Sequence, residues 1–344
     1  MKVSLLFFGV NVPKSELTEC LDQYGVDWQW ARKKGRLDIF SYWRTARILL
    51  SNNPNLIVIH GLRNVPIAWC LKKMDPKQKI CMVHHGPVNE IMSPVGGVLT
   101  RWSLRETQLN ISVSDSVTHR IQQMGGKTNG DERRILTIPN GVDVNFYSDV
   151  SAQVLAKTKT KVKLCMTAVF TPQKDHDTLL RACAMLSERN ILFELHFFGD
   201  GPLLNRGKRQ ADSLGISNNT FFHGIADSKN IRSHLATTDI YVHCTHSEGM
   251  SIALLEAMAS GLPVIISDIE GARNLTKSGA KLNITRIGSA EDVVESIVSL
   301  INNPQKAREE GSKNRIAIEN NFSLYQTADK YFNQWQQLIQ NNYQ

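Results

Sequence analysis

Two glutamates, Glu248 and Glu256, bracket a glycine turn and a helix start in the stretch Glu248-Gly-Met-Ser-Ile-Ala-Leu-Leu-Glu256-Ala-Met-Ala-Ser-Gly261-Leu-Pro-Val. Apolar residues precede it (Ile240, Tyr241, Val242) and follow it (Val264, Ile265, Ile266), so the pattern is strand, loop, helix, strand. The helix should begin near Met250 or Ser251 and end at Gly261 and Pro263. The unpaired amides of such a helix start, here Met250, Ser251, Ile252 and Ala253, form an anion site that the helix dipole reinforces. Glu248 precedes those amides beside Gly249, and Glu256 lies about five residues into the helix, roughly 7.5 Å deeper. A phosphate-sized anion at the helix start would then have a carboxylate on each side. Carboxylates accept hydrogen bonds from sugar hydroxyls. The constellation reads as a clamp for a sugar, a diphosphate and a ribose in a row. Two ordinary surface glutamates on a buried βα unit are the plain alternative.

Other residues could serve the same chemistry. Lys174, in Pro172-Gln-Lys174-Asp-His-Asp177, precedes a second helix, where a cation offsets diphosphate charge. Gly199 and Gly201 (in Phe198-Gly199-Asp200-Gly201-Pro202) and Gly224 (in Phe222-His223-Gly224) end strands. Glycine there lets backbone approach a ligand closely, although a simple turn explains it equally well.

These residues need a scaffold of alternating strands and helices. In the first half, strands are predicted over Val3–Phe8, Leu56–Ile59, Ile80–His84, Ile111–Ser114 and Ile135–Ile138. Helical spacing covers Asp38–Leu50 and Pro66–Lys73. In the second half, strands are predicted over Lys163–Val169, Phe193–Phe198, Thr220–His223, Ile240–His243 and Val264–Ser267. The intervening helices are Asp177–Glu188, Leu203–Leu214, Lys229–Thr237 and Ser251–Ser260, with Asp292–Ile301 after the last strand. The alternation argues for right-handed βαβ units and parallel sheets. The expected architecture is α/β: two Rossmann-like domains facing each other across a cleft, with ligands outside the carboxyl ends of the strands. The domains are placed at 1–150 and 151–322, with the boundary in the polar stretch around 147–160. A helical tail, 323–344, carries Tyr325, Ala328, Tyr331, Phe332, Trp335, Leu338 and Ile339 and is expected to pack back toward the first domain.

A chain of 344 residues suits two domains, and its 42% apolar and 21% charged content is that of a globular protein. Six scattered cysteines without a Cys-x-x-Cys pair read as buried thiols in a reducing cytosol. The N-terminal apolar run is too short for a signal peptide and runs into Pro13, Lys14 and Glu16. No stretch approaches the roughly 20 apolar residues of a membrane span. Net charge is +8, with residues 1–150 holding 19 Lys and Arg against 13 Asp and Glu. Arg32-Lys33-Lys34-Gly35-Arg36, followed by Tyr42, Trp43, Arg44 and Arg47, combines basic and aromatic residues in a way that suits an anionic membrane surface as well as a solvated helix flank. No nucleic-acid-binding motif is present, so nucleic acid ranks last among partners.

Taken in order with Ile138-Pro-Asn-Gly-Val-Asp143, these segments resemble the retaining glycosyltransferases of family 4, which have the GT-B fold. The resemblance is close over 135–270 and weaker over 1–134. It implies that Glu256 holds ribose hydroxyls and Glu248 the donor sugar's hydroxyls, while Lys174 and the helix amides hold the diphosphate. It places Ile225 beside the nucleotide base. It also implies a histidine near donor sugar and acceptor in Met82-Val-His84-His85-Gly86-Pro87. His85 is preferred, with His84 as runner-up, because alternation sends one of them into the sheet packing. His60-Gly61 ends another strand, and the family's N-terminal glycine-rich loop is reduced to Gly9-Val10-Asn11. One position departs from the pattern: Val169 stands where the family usually has an arginine, so half of the diphosphate clamp is missing.

The implied activity is transfer of a hexose from a nucleoside diphosphate sugar to a saccharide acceptor, lipid-linked and used in surface polysaccharide assembly, at the cytoplasmic face of a membrane. No cofactor and no metal ion are expected, since helix amides and Lys174 supply the charge compensation. Two rivals stay open: a nucleotide-sugar epimerase of the same architecture, and a non-catalytic nucleotide-sugar-binding partner subunit.

Overall fold

Runs of Val, Ile, Leu and Phe too short for a buried helix and bounded by Gly, Pro or Asp pair as parallel strands covered on both faces. In the computed structural model this arrangement is built twice. The structure describes residues 2–10, 15–35, 38–86, 88–125, 134–148 and 161–340. They divide into two units: one takes 1–86, 90–137 and the chain from Asn333 on, the other 87–89 and 138–332. The stretch 149–160, which holds most of the expected boundary, lies outside the described residues.

The first unit runs β1 (Ser4–Gly9), α1 (Ser15–Gln23), β2 (Asp27–Arg32), α2 (Phe40–Ser51), β3 (Ile57–His60), α3 (Val65–Met74), β4 (Ile80–His84), α4 (Val88–Met92), α5 (Pro94–Glu106), β5 (Leu109–Ser112), α6 (Asp115–Gly125) and β6 (Arg134–Thr137). Strands β3, β4, β5 and β6 form a parallel sheet in that order, and β1 pairs separately with β2. The last strands lie slightly earlier than expected, at Leu109–Ser112 and Arg134–Thr137. Strand β2 lies outside the expected strands: Trp28, Trp30 and the buried Ala31 sit among Asp27, Gln29 and Arg32.

The second unit runs α7 (Val144–Ser148), β7 (Val162–Thr167), α8 (His176–Glu188), β8 (Phe193–Phe198), α9 (Leu204–Ser213), β9 (Thr220–Phe222), α10 (Ser228–Leu235), β10 (Ile240–His243), α11 (Ile252–Ala259), β11 (Val264–Ser267), α12 (Glu270–Lys277), β12 (Leu282–Thr285), α13 (Ala290–Asn302), α14 (Pro304–Asn321) and α15 (Leu324–Gln340). The tail of α15 belongs to the first unit, where Lys79 Nζ donates to the carbonyls of Leu338 and Ile339 at 2.8 and 2.7 Å. The sheet order is β12-β11-β10-β7-β8-β9, all parallel. Leu164 and Met166 bury on the face with Leu179, Cys183 and Val293, while Cys165 buries on the other with Leu254, Met258 and Ile318.

That order fixes where a site can form. The chain leaves β7 toward β8 and β9, then returns to the opposite side of β7 with β10. The loops after β7 and β10 therefore diverge from adjacent carboxyl ends, the switch point at which open parallel sheets bind ligands. Among the described residues, no helix is long and apolar enough to cross a membrane. Five cysteines are buried, as expected, but Cys20 is exposed on α1.

Candidate functional site

The loop after β7 and the loop after β10 are bound to each other at this switch point. Lys174 forms an antiparallel bridge with Thr245. The Asp175 amide donates to the Cys244 carbonyl at 3.1 Å, and the His246 amide to the Gln173 carbonyl at 2.9 Å. Asp175 also caps α8 by accepting from the Thr178 amide and hydroxyl, at 3.2 and 2.7 Å. His176 donates from Nδ1 to the Lys174 carbonyl at 2.9 Å and stacks on Phe170. Lys174 is thus aimed by backbone bonds on both sides.

The ammonium of Lys174 meets Oε2 of Glu248. His243, the last residue of β10, donates from Nε2 to the same oxygen at 2.9 Å. Burial pulls the Lys174 ammonium down to about 8, against which the adjacent carboxylate favours the charged form. His243 is fully buried, and burial, then the neighbouring Lys174 and His176, hold it neutral far below its ordinary range. A neutral imidazole has one donor, and here it goes to Glu248. Both bonds land on Oε2, which leaves Oε1 to accept from a hydroxyl. The sequence reading gives Lys174 and Glu248 separate tasks; the structure joins them through one oxygen.

Ser251 starts α11 as its N-cap, with extended backbone and a hydroxyl that accepts from the Leu254 amide. Gly249 is buried just before it, and Asn140 Nδ2 holds the Met250 carbonyl at 2.9 Å. The amides of Ile252 and Ala253 precede the first intrahelical bond and point out of the helix end. Deeper on α11, burial raises the Glu256 carboxyl, and the hydrogen bond from Tyr147 partly offsets it.

Gly199 and Gly224 sit at the neighbouring ends of β8 and β9, where the Gly199 amide donates to the Gly224 carbonyl at 2.7 Å. A side chain at Gly199 would run into the Ala168 carbonyl, and its φ of +136° suits glycine alone; Gly224 is also left-handed, at +70°. Ile225 follows, 62% exposed, and Val169 is 55% exposed on the loop that carries Lys174.

His84 is the histidine taken into the first unit's sheet packing. It donates from Nε2 to Asn110 at 3.0 Å and is driven down to about 4, chiefly by burial. His85 stacks on His60, with His85 Nε2 2.9 Å from His60 Nδ1. This pair belongs to the first unit, whereas Lys174, Glu248, Glu256, Gly199, Gly224 and Ile225 belong to the second.

The profile described as "Glycosyl transferases group 1" matches residues 148–317. The one described as "Glycosyltransferase Family 4" matches residues 2–146. The chain belongs to the family 4 glycosyltransferases of GT-B fold.

Among its relatives, the putative glycosyltransferase EpsF of Bacillus subtilis is 32% identical over 149 residues, which are 42% of this chain and 38% of EpsF. The UDP-Gal:alpha-D-GlcNAc-diphosphoundecaprenol alpha-1,3-galactosyltransferase of Escherichia coli is 27% identical over 210 residues, 58% of this chain and 53% of the relative. The chain thus spans about 40–50% of the length of these relatives. Anabaena HepE, solved in complex with UDP and glucose, superposes with a TM-score of 0.79 at 19% identity, covering 96% of this glycosyltransferase and 91% of HepE.

Sequence reasoning missed two members of this site. His243 reads as the end of an apolar strand, though a histidine five residues ahead of the loop glutamate is a usable signal. Tyr147 falls in a polar stretch that reads as a boundary. The sequence reading counts no Asp-x-Asp motif beside these segments, yet Asp175-His176-Asp177 has that spacing. Both carboxylates are engaged: Asp175 caps α8, and Asp177 accepts from Arg181 and Gln210.

Proposed function

We propose that this glycosyltransferase moves a hexose, with retention of anomeric configuration, from a nucleoside diphosphate sugar to a saccharide acceptor. The observation that carries the reading is the Lys174–Glu248–His243 cluster at the start of α11, with Glu256 deeper on the same helix and held there by Tyr147 of α7. The ordering fits a donor laid along the helix end. Glu248 Oε1 takes a hydroxyl of the sugar, the amides of Ile252 and Ala253 with Lys174 take the diphosphate, and Glu256 takes the ribose. Gly199, Gly224 and Ile225 frame the base. In the proposed reaction the C1–oxygen bond to the phosphate breaks and the acceptor oxygen bonds C1 on the same face. The acceptor's proton goes to the departing phosphate. Charge compensation comes from the lysine and the amides, with no metal ion in the step. His85 is proposed to face donor sugar and acceptor.

UDP-sugars are the first donors to test, because HepE was solved with UDP and glucose and the E. coli relative's name carries UDP-Gal. That relative's diphosphoundecaprenol acceptor supports a lipid-linked acceptor and surface polysaccharide assembly for this chain. The exposed Val169, in place of an arginine, favours a second reading: a subunit that binds the donor and transfers nothing. Calorimetry with UDP- and GDP-sugars, followed by transfer assays with EDTA and NMR of the fresh product, separates the readings. The proposal expects donor binding, transfer that survives EDTA, and the donor's anomeric configuration in the product. Binding without transfer supports the second reading; turnover of donor without acceptor would indicate an epimerase; an inverted product would end the retaining mechanism.

A further inference from the structure

Three histidines from three separate elements converge on one face of the second unit's sheet. His196 lies on β8, His223 follows the edge strand β9, and His234 is on α10. One ring nitrogen from each lies within 4.8 Å of the other two. His196 and His223 stack at 5.2 Å and 6° between planes, and His234 closes on them at 5.7 and 4.8 Å. The placement follows from the strand period. Leu195 and Phe197 bury in the core on one face, so His196 projects to the opposite face, where α10 supplies His234.

We propose that His196, His223 and His234 form a binding site for a first-row divalent transition metal, zinc foremost. Three neutral imidazoles with one open position is a recognised ligand set for Zn²⁺, while Mg²⁺ and Ca²⁺ prefer oxygen.

Two observations point to a ligand. His196 Nδ1 and His223 Nε2 share a hydrogen bond at 2.9 Å, so the two nitrogens face each other, and moving the shared proton to the donor ring's other nitrogen frees both lone pairs for one ion. Two nitrogens bound to one tetrahedral zinc stand about 3.3 Å apart at bond lengths of ~2.0–2.1 Å, so this pair needs to open by roughly 0.4 Å, and the three nitrogens, now within 4.8 Å of one another, close by up to about 1.5 Å around the ion. The other nitrogen of His196, Nε2, is buried without a hydrogen-bond partner and points at Glu194, whose Oε2 is 3.8 Å away. A metal on Nδ1 fixes the tautomer with the proton on Nε2, toward that carboxylate. At 3.8 Å the contact is longer than a hydrogen bond, and closing it by about 1 Å would give the carboxylate–histidine–metal arrangement that orients ligating histidines.

The charges around the cluster are mixed. Glu194 favours a cation, and Lys163, 3.9 Å from Glu194, opposes it, with Lys161 also 3.7 Å from Glu194. Burial holds all three imidazoles below their ordinary range, helped by neighbouring rings at His196 and His223 and by Lys163 at His234. A bound ion would cross-link β8, the end of β9 and α10. It would also fix His223, one residue before Gly224. The site stands apart from the transfer chemistry proposed above, so its test needs no substrate.

Tag-free, metal-stripped full-length protein is titrated with ZnCl₂ by calorimetry, and Co²⁺ absorption then reports the coordination geometry. The proposal expects one equivalent of Zn²⁺ bound with micromolar or tighter affinity, visible d–d bands of tetrahedral Co²⁺, and a rise in Tm with metal. His223→Gln and His234→Gln should each weaken that equivalent at least tenfold. The variant combining His60→Gln and His85→Gln, which removes the histidine pair of the first unit, should retain it. Circular dichroism checks that each variant folds. Should His234→Gln fail to fold, the exposed His223→Gln decides alone. No Zn²⁺ binding by wild type, or binding that survives His223→Gln, would overturn the site.

Discussion

Glu248 receives both the Lys174 ammonium and the His243 imidazole on one oxygen, so three side chains act together. Converting the carboxylate to an amide by Glu248→Gln keeps the shape but removes the charge that holds Lys174. If the sugar contact tightens as the reaction proceeds, kcat should fall by about 10²-fold or more with little change in donor KM. Glu256→Gln should instead raise donor KM by about ten- to a hundredfold, since a ribose contact is nearly equal in ground and transition states. Steady-state kinetics of both variants checks the split; two wild-type profiles would remove both residues from the site. Lys174 adds a pH signature. Its ammonium is lowered to about 8 by burial, so the cation is present below that pH and lost as pH rises through it. Donor affinity should therefore fall in alkali. Lys174→Arg, charged throughout, should flatten the profile, and a wild-type affinity that is level from about pH 7 to 9 would contradict the diphosphate role.

At the scale of elements, the sequence is most legible where a strand is buried on both faces. Ile240–His243 and Val264–Ser267 match their expected bounds because each is a fully buried run closed by Cys or Asp, and Phe193–Phe198 does so through its four apolar residues and Gly199, although Glu194 and His196 are only part-buried. Edge and half-polar elements escape. Strand β12, Leu-Asn-Ile-Thr, carries too few apolar residues to announce itself at the sheet's edge. In α5, Gly96 and Gly97 hide a helix whose buried face lets Gly96 press on the Glu90 carbonyl. Helix α14 is polar on most of its surface, and its buried face uses Ala307, Gly311, Asn314 and Ala317, with Ile318 as its single large apolar residue. The candidate site divides the same way. Glu248, Glu256 and Lys174 stand out by type and spacing, whereas His243 and Tyr147 join them only through packing. Helix α11 offers a test at this scale. Ser251→Ala removes the cap on the Leu254 amide and should cost about 1 kcal/mol, or about 2–4 °C in Tm for a unit of this size. If the amides of Ile252 and Ala253 hold the diphosphate, fraying that turn should weaken donor binding further than the Tm change explains. A Tm loss with unchanged donor affinity would separate the cap from the site.

The whole molecule carries +8, and residues 1–150 hold most of the excess. The first unit also displays Phe40 at 71% exposure, with Ile39 and Trp43 beside it. These residues open α2, and Lys33 is tied to the same helix: its ammonium donates to the Tyr42 hydroxyl at 2.9 Å and lies over the rings of Phe8 and Tyr42. Arg44 is engaged by Asp38 at 3.0 Å. Arg36 lies outside the described residues. Among the described residues of this segment, the exposed cations besides Arg44 are Arg32, Lys34 and Arg47. Cations flanking exposed apolar side chains suit the interface of an anionic bilayer, where each basic residue contributes about 1 kcal/mol and salt screens the attraction. The protein should co-sediment with phosphatidylserine vesicles at low salt, ignore phosphatidylcholine vesicles, and release as salt is raised. Substituting both Arg32→Glu and Lys34→Glu reverses two charges and should abolish sedimentation. Donor binding, which the proposed site assigns to the second unit, should stay unchanged. Phe40→Ser should weaken vesicle binding while leaving its salt dependence in place, because it removes apolar contact and no charge. A wild-type protein that stays in the supernatant with anionic vesicles at low salt would refute the membrane surface and leave a soluble acceptor as the better expectation.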